Sequence, residues 1–166
     1  MELPRTLKAL EACIGDPRRG LPEDVFLLVS RITPLVNVDL LIQSESKGTL
    51  LTWRDDSHYG AGWHFPGGVI RFQENAIDRA REVARLELGA DVAPEAKPEF
   101  VHEAIDRRMR TRGHFISLLF RCTLCCDPDP SLEALTDKPR RGQWRWHRSC
   151  PENLLPVHQV YRKFFK

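Results

Sequence analysis

Two rhythms of apolar positions organise this chain. From Val36 to Ile42 apolar and β-branched residues crowd together, as in a buried strand. From Ala76 to Leu88 the apolar positions recur at three- and four-residue intervals, as on one side of a helix closed by Gly89. Other segments fall into place around these two. Thr6 to Ile14 is a short amphipathic helix, broken by Gly15 to Gly20. Leu21-Pro22-Glu23-Asp24 starts a second helix, with proline and acids in its first turn, running to about Arg31 and stopping before Pro34. Thr49 to Trp53 returns after the turn Ser46-Lys47-Gly48. Asp55 to Gly62 is polar and glycine-rich and reads as a loop. Trp63 to Phe65 is a short strand leading into Pro66-Gly67-Gly68. Glu99 to Ile105 and His114 to Leu124 are strands joined by the basic loop 106–113. Asp127 to Asp137 is a loop, Gln143 to His147 a short strand with Trp144 and Trp146 on one face, and 151–166 partly helical. Strands mixed with helices predict an α+β fold, an α/β/α sandwich with a mixed sheet between helices.

With 166 residues, 42 % of them apolar, the chain suits one domain with a real core. A net charge of +2 implies neither a nucleic-acid nor a membrane partner. The run Lys138-Pro139-Arg140-Arg141 before Trp144 and Trp146 reads as a solvated loop rather than a nucleic-acid contact. No apolar run reaches the ~20 residues of a membrane helix. Residues 1–20 lack the apolar core of a secretory leader. The five cysteines include Cys122-x-x-Cys125, but no second ligand pair follows, so they read as reduced thiols and a cytoplasmic location is expected.

At ~100° per residue, Val83, Glu87, Ala80, Ala84, Ile77 and Leu88 share one arc of the main helix. Glu87 is its sole carboxylate, and an acid on an apolar stripe must be paired, protonated or bound to metal. Glu82 lies on the opposite, solvated side. Glu74 and Arg81 share the edge of the stripe and are candidates for linkage. A Gly67 carbonyl and the Glu87 carboxylate are hard oxygens of the kind Mg²⁺ prefers, and the Pro-Gly-Gly turn can pack beside the helix.

Gly68, then Glu74 after five residues, then the helix ending Glu87-Leu88-Gly89 resembles a Nudix box. Arg81-Glu82 arrives one residue early for that pattern, and Leu86 stands where the box usually has another Glu. A box that keeps only its last Glu, together with Thr33-Pro34-Leu35-Val36, Asp39, Trp63-x-x-Pro66-Gly67-Gly68, His114-Phe115, Trp144-Arg145-Trp146 and Val157-His158, is similar to the GDP-mannose mannosyl hydrolase branch. The resemblance covers roughly Glu23 to Phe165. It divides the chain into an N-terminal extension, 1–20, and a Nudix domain, 21–166.

The resemblance implies one Mg²⁺ (with Mn²⁺ as its substitute) held by Gly67 and Glu87, His114 as general base, Asp39 as a catalytic acid group, and Arg54 on the diphosphate. By alternation His114 shares an inward face with Ile116, Leu118 and Phe120. Asn37, Asp39, Leu41 and Gln43 make a face polar enough to look toward solvent. Two family arginines are replaced, by Val69 and Glu82; Arg71 and Arg81 are the candidates to compensate at the substrate, neither of them in register. A nucleotide-sugar substrate, water attack at sugar C1 and a homodimer follow from the same resemblance. A pyrophosphohydrolase attacking phosphorus, and a nucleotide-binding domain without catalysis, are the competing expectations.

Overall fold

The computed structural model describes residues 2–165; Met1 and Lys166, the outer ends of the two expected segments, lie outside that range. The elements are α1 (Leu3–Ile14), α2 (Glu23–Ile32), β1 (Leu35–Ser44), β2 (Gly48–Asp56), β3 (Gly60–His64), β4 (Gly67–Val69), α3 (Ala76–Leu88), β5 (Val92–Pro94), β6 (Phe100–Ile105), β7 (His114–Leu124) and β8 (Trp144–His147). A 3₁₀ segment, Pro156–Phe164, follows.

β1 is the spine of the sheet. It runs parallel to β7 from the pair Leu35–Phe115 to the pair Ile42–Cys122. Its other neighbours are antiparallel: β4, with Asp39 opposite Gly67, and β2, with Gln43 opposite Thr49. β3 and β8 pair with β2, and β5 and β6 pair with β7. The mixed α+β sheet expected from the sequence is therefore present.

Period-two alternation sorts β1 between two cores. Val38, Leu40 and Ile42 face α3 and join Ala80, Val83, Ala84, Leu88, Phe120 and Trp144. Leu41 faces the other way, with Leu51, Trp63, Phe65, Leu119, Leu154 and Tyr161. Asp39 shares that second face and is 1 % exposed, so the solvent-facing reading of Asn37, Asp39, Leu41 and Gln43 does not hold at Asp39: the 3₁₀ segment 156–164 covers it through Tyr161.

The main helix begins and ends where its periodicity predicts. Asn75 caps the start by accepting the Asp78 N–H, and Gly89 ends it in the left-handed region, φ 60°, ψ 26°. Glu74 pairs with Arg79 and not with Arg81. Helical side chains lean toward the N-terminus, which carries Arg79 back under Gly68 to the Glu74 carboxylate, while Arg81 reaches Asp78. Local departures are small. α1 starts three residues early because Pro4 suits a first turn. The 55–62 loop shrinks to a tight turn because the Asp56 carboxylate accepts the N–H groups of His58 and Tyr59. β4 and β5 are too short to show in a pattern. All five cysteines are free, and no helix among the described residues is long and apolar enough to cross a membrane.

Gly89→Ala is expected to cost about 1–2 kcal/mol, because an L-residue there is strained and its Cβ would meet the Asp129 Cβ at 2.8 Å. Urea unfolding should show a lower midpoint with an unchanged slope.

Candidate active site

Strands β1, β2, β3 and β4 and the 156–164 segment deliver their side chains to one cavity. Asn37, Asp39, Arg54, Tyr59, His64, Gly67, Gly68, Val69, Arg112, Phe115 and His158 line it. Glu87 abuts it through Gly67 and His64.

The Glu87 carboxylate is held at both oxygens. Thr52 Oγ1 lies 2.7 Å from Oε2, and the Gly67 N–H donates to Oε1 at 3.1 Å. Loss of water pushes its pKa up to about 7, against the lowering effect of those two hydrogen bonds and of Arg54. The glycines make this geometry possible. A Cβ on Gly67 would collide with Asp39 Oδ1 and approach the Val38 carbonyl oxygen to 2.8 Å; one on Gly68 would press on Val83 at 3.0 Å.

Behind Glu87 stands His64. Its Nδ1 lies 2.7 Å from the Phe65 carbonyl oxygen, so Nδ1 carries the proton, and Nε2 faces Thr52 Oγ1 at 3.0 Å. Burial, with the nearby Arg54 and His158, holds its pKa well below the usual value, so the ring is neutral. Thr52 then has one proton and two acceptors. That proton goes to Glu87 Oε2, and the raised Glu87 pKa is the work of burial rather than of this bond.

Asp39 anchors a second network. Tyr161 donates to Oδ2 at 2.6 Å and Asn37 to Oδ1 at 2.8 Å. His158 Nδ1 accepts the Phe65 N–H at 2.9 Å, which leaves the proton on Nε2, 3.7 Å from Asp39 Oδ1. Arg54 lies 3.4 Å from Asp56 and stacks on Tyr59, its guanidinium carbon 5.4 Å from the ring centre.

The structure thus brings Asp39, Arg54 and Gly67 together, with Glu87 adjoining. It does not bring His114 or Arg71 to them. Alternation along β7 turns Phe115 to the cavity and His114 to the opposite face, where Nε2 meets Glu103 Oε1 at 3.1 Å. The face shared by His114 and Phe120 is indeed inward, but it is the α3 side of the sheet. The Arg71 N–H donates to Glu74, and Arg71 does not line the cavity. His64, His158, Tyr59 and Arg112 are cavity residues that pattern reading did not single out. His64 and His158 stand inside the segments Trp63–Gly68 and Val157–Phe164, yet only tertiary packing brings them together.

Among the described residues no three His, Cys, Asp or Glu side chains gather in the manner of a self-contained metal centre. Glu74 is engaged by Arg79 and the Arg71 N–H, and Glu82 by Arg85 at 3.1 Å. The fitting donor set is therefore sparse: the Glu87 carboxylate, backbone oxygen, and oxygens brought by a ligand. Mg²⁺ is commonly held in this way, by one or two carboxylates with phosphate and water.

No family model matches the chain. It is 32 % identical over 148 residues to the low-salt glycan biosynthesis protein Agl8 of Haloferax volcanii, across 87 % of this chain and 90 % of that protein. Among solved structures it is similar to a MutT Nudix hydrolase from Burkholderia pseudomallei, with TM-score 0.61 and 18 % identity over 81 % of this chain and 99 % of that one. A MutT protein from Methanosarcina mazei Go1 gives TM-score 0.58 and 19 % identity over 80 % and 91 %. These structural likenesses establish the fold, which is that of the Nudix hydrolases.

The Glu87 pKa of about 7 lies above its ordinary 4.5, so the folded state binds a proton that the unfolded state releases between those values. Its stabilising contribution is full below pH 4.5 and lost as pH rises through about 7. In metal-free protein, Glu87→Gln should gain stability relative to wild type between pH 5 and 8; chemical denaturation at each pH measures that difference.

Proposed function

The chain belongs to the family of the Haloferax volcanii protein Agl8, and from that premise we propose that it is a Mg²⁺-dependent hydrolase of nucleotide sugars, releasing nucleoside diphosphate and free sugar. One observation carries the choice of reaction: of the acids around the main helix, Glu87 adjoins the cavity through its hydrogen bond to Gly67, while Glu74 and Glu82 are tied to arginines. Attack at phosphorus in this fold generally relies on several box carboxylates. Attack at sugar carbon needs less, namely a stabilised diphosphate leaving group and a group that takes a proton from water. The description of Agl8 as a glycan biosynthesis protein is consistent with a sugar-bearing substrate.

Glu87 and the Gly67 backbone carbonyl would hold the metal. When bound, the metal would neutralise negative charge on the leaving diphosphate. Arg54, fixed by Asp56 and Tyr59, supplies planar N–H donors to the same group. Gly67 and Gly68 line the cavity with Arg54, where the diphosphate would lie. Asp39, oriented by Tyr161 and Asn37, faces the positive charge that builds at C1 and accepts the proton of the attacking water. The water oxygen bonds to C1 as the bond from C1 to the diphosphate oxygen breaks, and its electron pair leaves with the diphosphate. Attack opposite the leaving group inverts C1. His158 stands behind Asp39 and supports its charge. His114, the base implied by family resemblance, is engaged with Glu103 outside the cavity, so this reading gives the proton-accepting role to Asp39.

Incubation with GDP-mannose and Mg²⁺, with products separated by ion-exchange chromatography, tests the reading. GDP with free mannose is the expected result; GMP with mannose phosphate would sink it. Glu87→Gln and Asp39→Asn should each lower kcat by about 10²-fold or more, while His114→Gln should leave most of it.

A further inference from the structure

Arg112 lies on the loop between β6 and β7, in a conformation that residues other than glycine seldom adopt, φ 56°. Its backbone is tied on both sides. The N–H donates to Ser30 Oγ at 3.1 Å, from buried Ser30 on α2, and the carbonyl accepts the Tyr59 hydroxyl at 3.0 Å. Its guanidinium is held between two rings, its carbon 5.5 Å from the centre of Phe26 and 5.3 Å from that of Tyr59.

The same Tyr59 ring carries Arg54 at 5.4 Å, and both arginines line the cavity that contains Gly67 and Gly68. Like charges gathered in this way repel unless an anion joins them. Asp56 sits beside both arginines, and Asp39 lines the same cavity. Burial opposes the ionisation of Asp56, but the Tyr59 and His58 N–H groups and both arginines hold its pKa below the ordinary value. It makes an ion pair with Arg54, whereas Arg112 makes none among the described residues. Arg108 on the same loop differs: it is exposed and closed on Asp106 at 2.7 Å. Arg112 is thus a planar cation, held by its neighbours and without an ion pair of its own among the described residues, on the wall of the cavity where the leaving group would lie. It also lines an adjoining open groove with His102, Glu103, Asp106 and Val160, so it stands where the site meets the space beyond.

We propose that Arg112 is a diphosphate-binding residue that works with Arg54 as a two-guanidinium clamp, with Tyr59 as the plate on which both are mounted. The proposal rests on the nucleotide-sugar reading for the chemistry of its ligand. Stacking fixes the two planar forks, and a diphosphate with oxygens on both phosphorus atoms can engage them together.

The test is calorimetric titration of the full chain with GDP, and separately with inorganic diphosphate, each with Mg²⁺. Arg112→Met should weaken both by about tenfold to a hundredfold, the scale of lost charge-assisted hydrogen bonds. Its affinity should also depend less steeply on salt, which loosened packing alone would not cause. Arg112→Lys keeps the charge and a stem to lie between the rings. It should bind a few-fold to tenfold more weakly than wild type, because a lysine has no planar fork, and it carries the test if the methionine variant does not fold. Arg108→Met should bind as wild type does. Wild-type binding with equal affinity and equal salt slope in the folded Arg112 variants would overturn the clamp alone. Wild type that binds neither ligand would overturn the clamp together with the nucleotide-sugar reading.

Discussion

The two hydrogen bonds to the Glu87 carboxylate hold the site together. One comes from Thr52 on β2, the other from the Gly67 N–H on β4, and Glu87 itself belongs to α3. Three elements distant in sequence therefore converge on one carboxylate. Val83, one turn earlier on α3, packs where Gly68 has no side chain, so the apolar packing of the helix fixes the height of the acid against the turn. A half-buried carboxylate hemmed in this way is less favourable as an anion than one in water. Protonation, with the pKa at about 7, relieves that cost in the free protein, and a divalent cation would relieve it in the loaded one.

Around that carboxylate the sheet imposes a simple rule. One face of β1 and β7 packs on α3; the other meets Tyr161, His158 and Phe65. Asp39 lies on the second face, where it would be an isolated buried charge without Tyr161 and Asn37 as donors. The segment that closes this face also supplies His158, so the last part of the chain completes both the core and the cavity. Arg54 comes from β2 and Arg112 from the β6–β7 loop.

Local regularity made much of this legible. The span of α3, its Gly89 cap, the carboxylate on its apolar stripe and the Pro-Gly-Gly turn beside it are all consequences of short-range spacing. Strand limits were legible to within a few residues for the same reason. What was not legible depends on register or on distant convergence. A single step along β7 separates Phe115, at the cavity, from His114, at Glu103, and a motif match cannot sense that step. The face of Asp39 read as solvent-facing because Tyr161, which covers it, lies more than a hundred positions away. Arg112 looked like one charge among several in a basic loop. Its distinction lies in Ser30, Phe26 and Tyr59, none of which is its sequence neighbour.

At the centre of the account is one metal on a single acidic side chain, with the diphosphate lying over Gly67 and Gly68 between two arginines. A crystal structure with Mn²⁺ and GDP, its metal located by anomalous scattering, examines that most directly. The account predicts metal density bonded to Glu87 and to phosphate oxygens, with Arg54 and Arg112 on the diphosphate. Metal bound instead at Glu74 or Glu82, or a diphosphate seated away from the two glycines, would contradict it.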